Sequence, residues 1–211
     1  LEIQDLIALL DVLQSPSKNL ALAQTLKSPI VGWSDAQLAE LALAVRDLNH
    51  DLNTDWDGNA NSGSHLSWWQ ALAQSPNPTW QAVHAQLLRW QAWVGSLPVY
   101  DALFAIYHDA ALDTSLPARY AQAAPPALRT RILANLQGLL QAALDFQQGR
   151  FANCWAFVRA MRDPKQAADF AAPALAQPDA IQLLTVHGAK GLEAENVILL
   201  GSLEQTKASD S

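Results

Sequence analysis

Apolar side chains recur at helical spacing from residue 3 to about residue 162, and the pattern then gives way to two short apolar runs around a glycine-bounded turn. That switch of period constrains the fold more than any other feature. Ile3, Leu6, Ile7, Leu10 and Leu13 share one face of a first helix over 3–13. Ser17 serves as the N-cap of a short helix through Leu26. Ser34 caps a third, with Leu38, Leu41, Val45 and Leu48 in phase. Residues 53–64 are polar and contain glycine, which predicts a loop. Helices follow over 65–74, 79–94 and 99–111. A longer one over 126–148 carries Leu128, Ile132, Leu136, Leu139, Leu140 and Ala143, with Pro125 and Pro126 at its start, where a missing N–H is harmless. Residues 152–162 close the helical part, and 163–179 form a Pro- and Ala-rich connection. The runs 181–186 and 196–200 then predict two buried strands, as in the opening of a parallel α/β sheet that the chain does not complete. The fold class is therefore mainly α, followed by an incomplete α/β piece.

Half of the 211 residues are hydrophobic, enough for a substantial core. No apolar run reaches the roughly 20 residues that span a bilayer. The first residues carry no basic signal-peptide region, and Leu1 in place of Met points to a piece of something longer. Cys154 is the only cysteine, so no internal disulfide forms, which fits a reducing cytoplasm. The net charge of −7 argues against generic phosphate binding, but it is uneven: 1–88 carry −6, 89–165 carry +3 and 166–211 carry −4. Only the middle segment could attract phosphate by bulk charge, and its excess is small, so an ordinary solvated helical surface is the plainer reading.

The segment Thr185-Val186-His187-Gly188-Ala189-Lys190-Gly191-Leu192-Glu193 leaves the end of a predicted strand, where open α/β sheets place ligand sites. Gly188 and Gly191 allow a sharp turn or a close backbone approach. Thr185 and His187 can hydrogen-bond phosphate oxygens, Lys190 adds charge, and Glu193 can accept from a ribose hydroxyl. This is not a phosphate-cradling P-loop. That motif has Gly-Lys-Ser/Thr at its end, whereas Lys190 here precedes Gly191, and no other stretch matches.

The run Leu183–Glu193, with Asn196–Leu200 after it, resembles motif V of the UvrD/Rep/RecB-type DNA helicases of superfamily one. Ala194 stands where many members have Phe. A second stretch, Leu26-Lys27-Ser28-Pro29-Ile30-Val31-Gly32-Trp33-Ser34-Asp35-Ala36-Gln37-Leu38, is similar to a pattern in the helical accessory domain of the RecB/AddA-like branch, that of the exonuclease V-type helicase-nucleases. The resemblance implies a helical accessory domain over 1–178, the motif V strand–loop–strand of a RecA-like P-loop-NTPase motor domain over 179–203, and a tail over 204–211. It implies DNA contact by Thr185, His187 and Gly188, nucleotide contact by Glu193 and Gly191, and a coupling role for Lys190. It further implies a parent ATP-dependent DNA helicase, of which this is a C-terminal-region piece, using ATP and Mg in recombination or repair. Its expected partners are DNA, as single strand and duplex junction, the remaining motor domains and a nuclease subunit or domain. The expected location is cytoplasmic, with no membrane contact.

The Walker A loop, metal-binding acidic pair and γ-phosphate arginine that such an enzyme needs are not recognisable here, so this piece alone is expected to be inactive and to bind no cofactor. Two alternatives stay open: a non-catalytic helicase-like subunit, and a helical scaffold that binds DNA or a partner protein.

Eight tryptophans, Trp33, Trp56, Trp68, Trp69, Trp80, Trp90, Trp93 and Trp155, are candidates for base stacking. Trp80, Trp90 and Trp93 sit among apolar residues and read as core, and Trp56 in the polar loop reads as the best exposed one. Arg129 and Arg131, near the start of the long helix, could touch duplex phosphate, but a solvated face is the plainer reading. His50, His65, His84 and His108 show no metal spacing. Asp55 and Asp57 read as turn residues.

Overall fold

Caps and apolar stripes place nine α-helices among the residues that the computed structural model describes, which are 1–54, 66–149, 152–163 and 196–198. They are α1 (Glu2–Gln14), α2 (Asn19–Lys27), α3 (Asp35–Thr54), α4 (Trp68–Gln74), α5 (Pro78–Ser96), α6 (Val99–Tyr107), α7 (Leu116–Ala123), α8 (Pro126–Asp145) and α9 (Cys154–Arg162). The chain divides into two units, 1–175 and 176–211. All nine helices belong to the first. The mainly α class is borne out there, and no strand occurs among the described residues.

α1 is the centre of the first unit. Leu6, Leu9 and Leu10 are wholly buried, and Asp5 and Asp11 are buried with them, so this helix is covered almost all round. α2, α5, α8 and α9 pack against it. Each fully buried leucine contributes about 1.5–3 kcal/mol by leaving water. Leu9→Ala, which removes such a side chain from the middle of this helix, should cost about 2–5 kcal/mol.

The stretch 26–38 folds as a tight connection between α2 and α3, and its residue types follow from that job. Ser28 ends α2, its Oγ donating to the Thr25 carbonyl at 2.8 Å. The Gly32 and Trp33 amides fold back onto the carbonyls of Ser28 and Leu26 at 2.8 Å each. Gly32 has φ +81°, where any Cβ is strained. Ile30 and Trp33 plug the core, and the Ile30 carbonyl accepts from Arg119 of α7 at 2.9 Å. Ser34 then caps α3 reciprocally with Gln37: the Gln37 amide donates to Ser34 Oγ, and the Ser34 amide donates to Gln37 Oε1.

Several boundaries differ from the sequence reading. α2 begins at Asn19, with Lys18 rather than Ser17 at the N-cap position and no side-chain cap, and the Lys18 ammonium meets Asp11 at 2.6 Å. α3 runs on through 53–54, where composition suggests a loop. The helix expected over 99–111 stops at Tyr107, since Asp109 turns inward and accepts from the Ala111 amide. α7 is an addition to the expected helices, although Ser115-Leu116-Pro117 is a helix-start signature. Leu128, expected on the buried stripe of α8, is exposed with the rest of 125–131, because the helix reaches the core only from Ile132 onward.

In the second unit, residues 176–195 and 199–211 lie outside the described residues. The strand expected over 196–200 is not formed at the three residues that are described. Asn196 is in a bend, and Val197 and Ile198 are 73% and 84% exposed.

Candidate nucleic-acid interface

The residues that the sequence singles out for DNA and nucleotide contact, Thr185, His187, Gly188, Lys190, Gly191 and Glu193, lie outside the described residues, as do Trp56, His65, Asp55 and Asp57. The candidates that can be placed are in the helical unit.

Four of the tryptophans are core. Trp33, Trp69 and Trp80 are nearly buried and Trp90 is fully so. Trp33 lies against Trp80 at 6.1 Å, and His84 meets Trp69 edge-on at 5.4 Å. Burial holds His84 below its ordinary pKa, so it is a neutral packing group. Trp68 and Trp93 are half-buried. Among the described residues Trp155 alone of the tryptophans is exposed, at 60%. Sequence reasoning favours Trp56 and passes over Trp155. The spacing Trp155, Arg159, Arg162 (i, i+4, i+7) is the available signal.

α9 explains how these three side chains come to share a face. Asn153 caps it, accepting from the Ala156 amide at 2.8 Å. Cys154, Phe157, Val158 and Ala160 turn inward, and Phe157 stacks edge-on against Phe146 at 5.3 Å. Burial pushes the Cys154 thiol up to about 12, so it is an inert core group. The opposite face carries Trp155, Arg159 and Arg162, all exposed. The Arg159 guanidinium lies over the Trp155 ring at 5.5 Å. Arg162 reaches Asp11 Oδ2 at 2.6 Å, while Lys18 takes Oδ1 of the same carboxylate at 2.6 Å. Asp11 is buried, so one carboxylate holds two cationic heads at the surface, and the trio keeps a net positive charge. A pocket of about 390 Å³ opens beside them, lined by Lys18, Asn19, Gln24 and Arg162 among others.

Two other carboxylates are buried for structural reasons. Asp109 accepts from Arg89 at 2.5 and 3.1 Å, from Trp90 Nε1 at 2.7 Å and from the Ala111 amide at 3.0 Å. Burial alone would raise its pKa, but Arg89 and these donors outweigh that and hold it below 3.8. Asp5 is held without a cation. It accepts from Gln24 Nε2 at 3.1 Å and the Tyr120 hydroxyl at 3.2 Å, and burial leaves its pKa raised. Arg129 and Arg131 are exposed on the projecting start of α8, with Arg129 donating to the Ala124 carbonyl. Among the described residues no group of three or more His, Cys, Asp or Glu side chains is placed to hold a metal ion. No described helix is long and apolar enough to cross a membrane.

A mainly helical unit joined to a Thr-x-His-Gly-x-Lys-Gly-x-Glu segment is the composition expected of a piece of a UvrD/Rep/RecB-type helicase in its RecB/AddA-like branch. Comparison with known proteins bears that resemblance out. The chain is 28% identical over 212 residues to the A-type subunit of the ATP-dependent helicase/nuclease of Oenococcus oeni, covering 100% of the chain and 16% of that relative. It is 30% identical over 213 residues to the protein of the same name from Lacticaseibacillus paracasei, covering 99% and 16%. It is 29% identical over 224 residues to the exonuclease/helicase subunit RexA of Streptococcus pneumoniae, covering 100% and 17%. The chain thus spans about a sixth of the length of these relatives. No family model matches it.

Proposed function

We propose that this chain is a segment of an ATP-dependent DNA helicase-nuclease subunit that opens duplex DNA during recombination or repair. Residues 1–178 act as the helical accessory domain, and 179–203 supply the loop that couples strand contact to nucleotide state. The observation that carries this reading is the run Leu183–Glu193 inside a chain similar along its whole length to the A-type subunits of helicase/nucleases.

Each residue of the loop has a chemical task in this reading. Thr185 and His187 donate to phosphate oxygens of the strand, and Gly188 lets the backbone come close to it. Glu193 accepts from the nucleotide's ribose hydroxyl, with Gly191 giving the turn that brings it there. Lys190 joins the two sites. ATP is the parent's substrate and magnesium its companion ion, and the groups that grip the phosphates belong to parts of the parent other than this helical unit. DNA and a partner subunit or domain with nuclease activity complete the assembly.

The test is made in the full-length parent. Thr185→Ala with His187→Ala should lower DNA-stimulated ATP hydrolysis and unwinding together, and Glu193→Ala should weaken nucleotide affinity. Retention of full stimulated hydrolysis, unwinding and nucleotide affinity in these variants would sink the assignment of the loop.

A further inference from the structure

We propose that the outer face of α9, extended by Lys18, is a docking surface for a single strand of nucleic acid, with Trp155 stacking on one base and Arg159, Arg162 and Lys18 holding the adjoining phosphates. This rests on the nucleic-acid reading above but concerns a different part of the chain. It adds a strand contact on the helical unit to the one expected at 185–193.

Three observations point to this occupant. The first is the pairing of an exposed tryptophan face with cations. A base presents a π face to Trp155 and a phosphate to a guanidinium, and a strand offers the two in alternation. The second is charge. Arg159 rests on the Trp155 ring rather than on an acid, and the Asp11 trio retains one positive charge, so the patch is cationic within a chain of net charge −7. Of the nearby carboxylates, Asp11 is spent on its two cations and half-buried Asp163 has its own interaction. The third is preorganisation. Asp11 fixes Lys18 and Arg162 side by side before any ligand arrives, and α9 is anchored by four buried side chains, so little ordering remains to be done on binding. From Trp155 to Arg162 the helix rises about 10 Å, the length of some three nucleotides at roughly 3.4 Å per stacked residue.

The other exposed features of the unit lack this combination. Tyr100 and Phe104 of α6 and His108 just past its end form an aromatic ladder, with ring centroids 6.0 and 4.6 Å apart, but no described arginine or lysine lies over it. Leu128 and Leu133 are exposed beside Arg129 and Arg131 on α8, but this stretch carries no aromatic residue. A single strand is favoured over a duplex because base pairing and stacking hide the face that Trp155 would take.

The experiment measures anisotropy of a labelled oligothymidylate of about 16 nucleotides with the 211-residue chain, and repeats it with a duplex of equal length. Trp155→Ala should weaken the single strand roughly 5- to 100-fold, Trp155→Phe should retain most of the affinity, and intrinsic tryptophan fluorescence should be quenched on binding in the unsubstituted chain only. Arg159→Ala should flatten the slope of log K against log salt by about 0.7. Both side chains are exposed, so thermal melting should be unchanged. The idea is overturned if the chain binds no strand, or if it binds duplex equally well with Trp155→Ala indifferent. It is also overturned if Trp155→Ala and Arg159→Ala bind as before while Thr185→Ala with His187→Ala does not. That last outcome leaves the helicase reading standing. Stimulated ATP hydrolysis in the parent tests that reading separately. A Trp155→Ala chain that keeps strand binding but loses association with a partner protein would overturn the proposal and give the face to that protein instead.

Discussion

Arg89 and Arg159 each lie over a tryptophan four residues away on their own helix, Trp93 at 6.0 Å and Trp155 at 5.5 Å, yet the two pairs end in different roles. The difference is the carboxylate. Arg89 is drawn down onto buried Asp109, which also takes the Trp90 indole and a backbone amide, so the strong donors in that corner are satisfied from within. The cluster ties α5 to the end of α6, with the carboxylate wholly engaged by donors of the fold. Among the described residues Arg159 meets no such acid, and its neighbour Arg162 shares one with Lys18. An aromatic–cation pair is part of the fold where a buried acceptor saturates it, and is available for binding where none does.

The largest expected effect comes from breaking the saturated corner. Asp109→Ala leaves the Trp90 N–H buried without an acceptor and the partly screened Arg89 unpaired, and should cost about 2–4 kcal/mol in denaturant unfolding. Its strand affinity per folded molecule should not change. Trp155→Ala should do the reverse, moving stability by no more than about 0.5 kcal/mol while lowering strand affinity as described above. A chain in which Trp155→Ala melts and Asp109→Ala does not would break the comparison.

The two buried acids sharpen it through pH. The pKa of Asp109 is lowered, so its stabilising contribution is present above its ordinary value of 3.8 and is lost as pH falls through the lower folded value. The pKa of Asp5 is raised, so its contribution is fully present below 3.8 and is lost as pH rises through the higher folded value. Asp109→Asn should therefore remove a stability gain seen on leaving strong acid, and Asp5→Asn should remove a loss at slightly higher pH. Chemical unfolding across the acid range checks both signs, and identical slopes in the two variants would contradict the assignment. The smallest effect is the salt slope of Arg159→Ala, which a titration against salt resolves.

Much of the helical unit is legible in the sequence, because its caps and stripes are local. The pattern of Leu38, Leu41, Val45 and Leu48 after a Ser34 N-cap predicts α3, and the reciprocal bonds between Ser34 and Gln37 appear only in the structure. The Ser28–Trp33 connection is legible as a turn, and its exacting residues are explained by Gly32 at φ +81° and by Ile30 and Trp33 in the core. What escapes a sequence reading is long-range. Asp109 ends α6 because Arg89 and Trp90 wait for it about twenty residues earlier. Leu128 is exposed because α8 overshoots the core, which no periodicity reveals. Of the candidate sites, the roles in the 185–193 loop are legible only through its resemblance, and its placement lies outside the described residues. The α9 face is present as i, i+4, i+7 spacing, but which of eight tryptophans stays exposed depends on packing that a single sequence does not encode locally.

The most direct test of the helicase reading is ATP hydrolysis by the full-length protein with and without single-stranded DNA. Hydrolysis should rise several-fold with the strand and fall when Thr185 and His187 are both changed to Ala. A full-length protein that binds the strand but hydrolyses no ATP under any condition would contradict that reading.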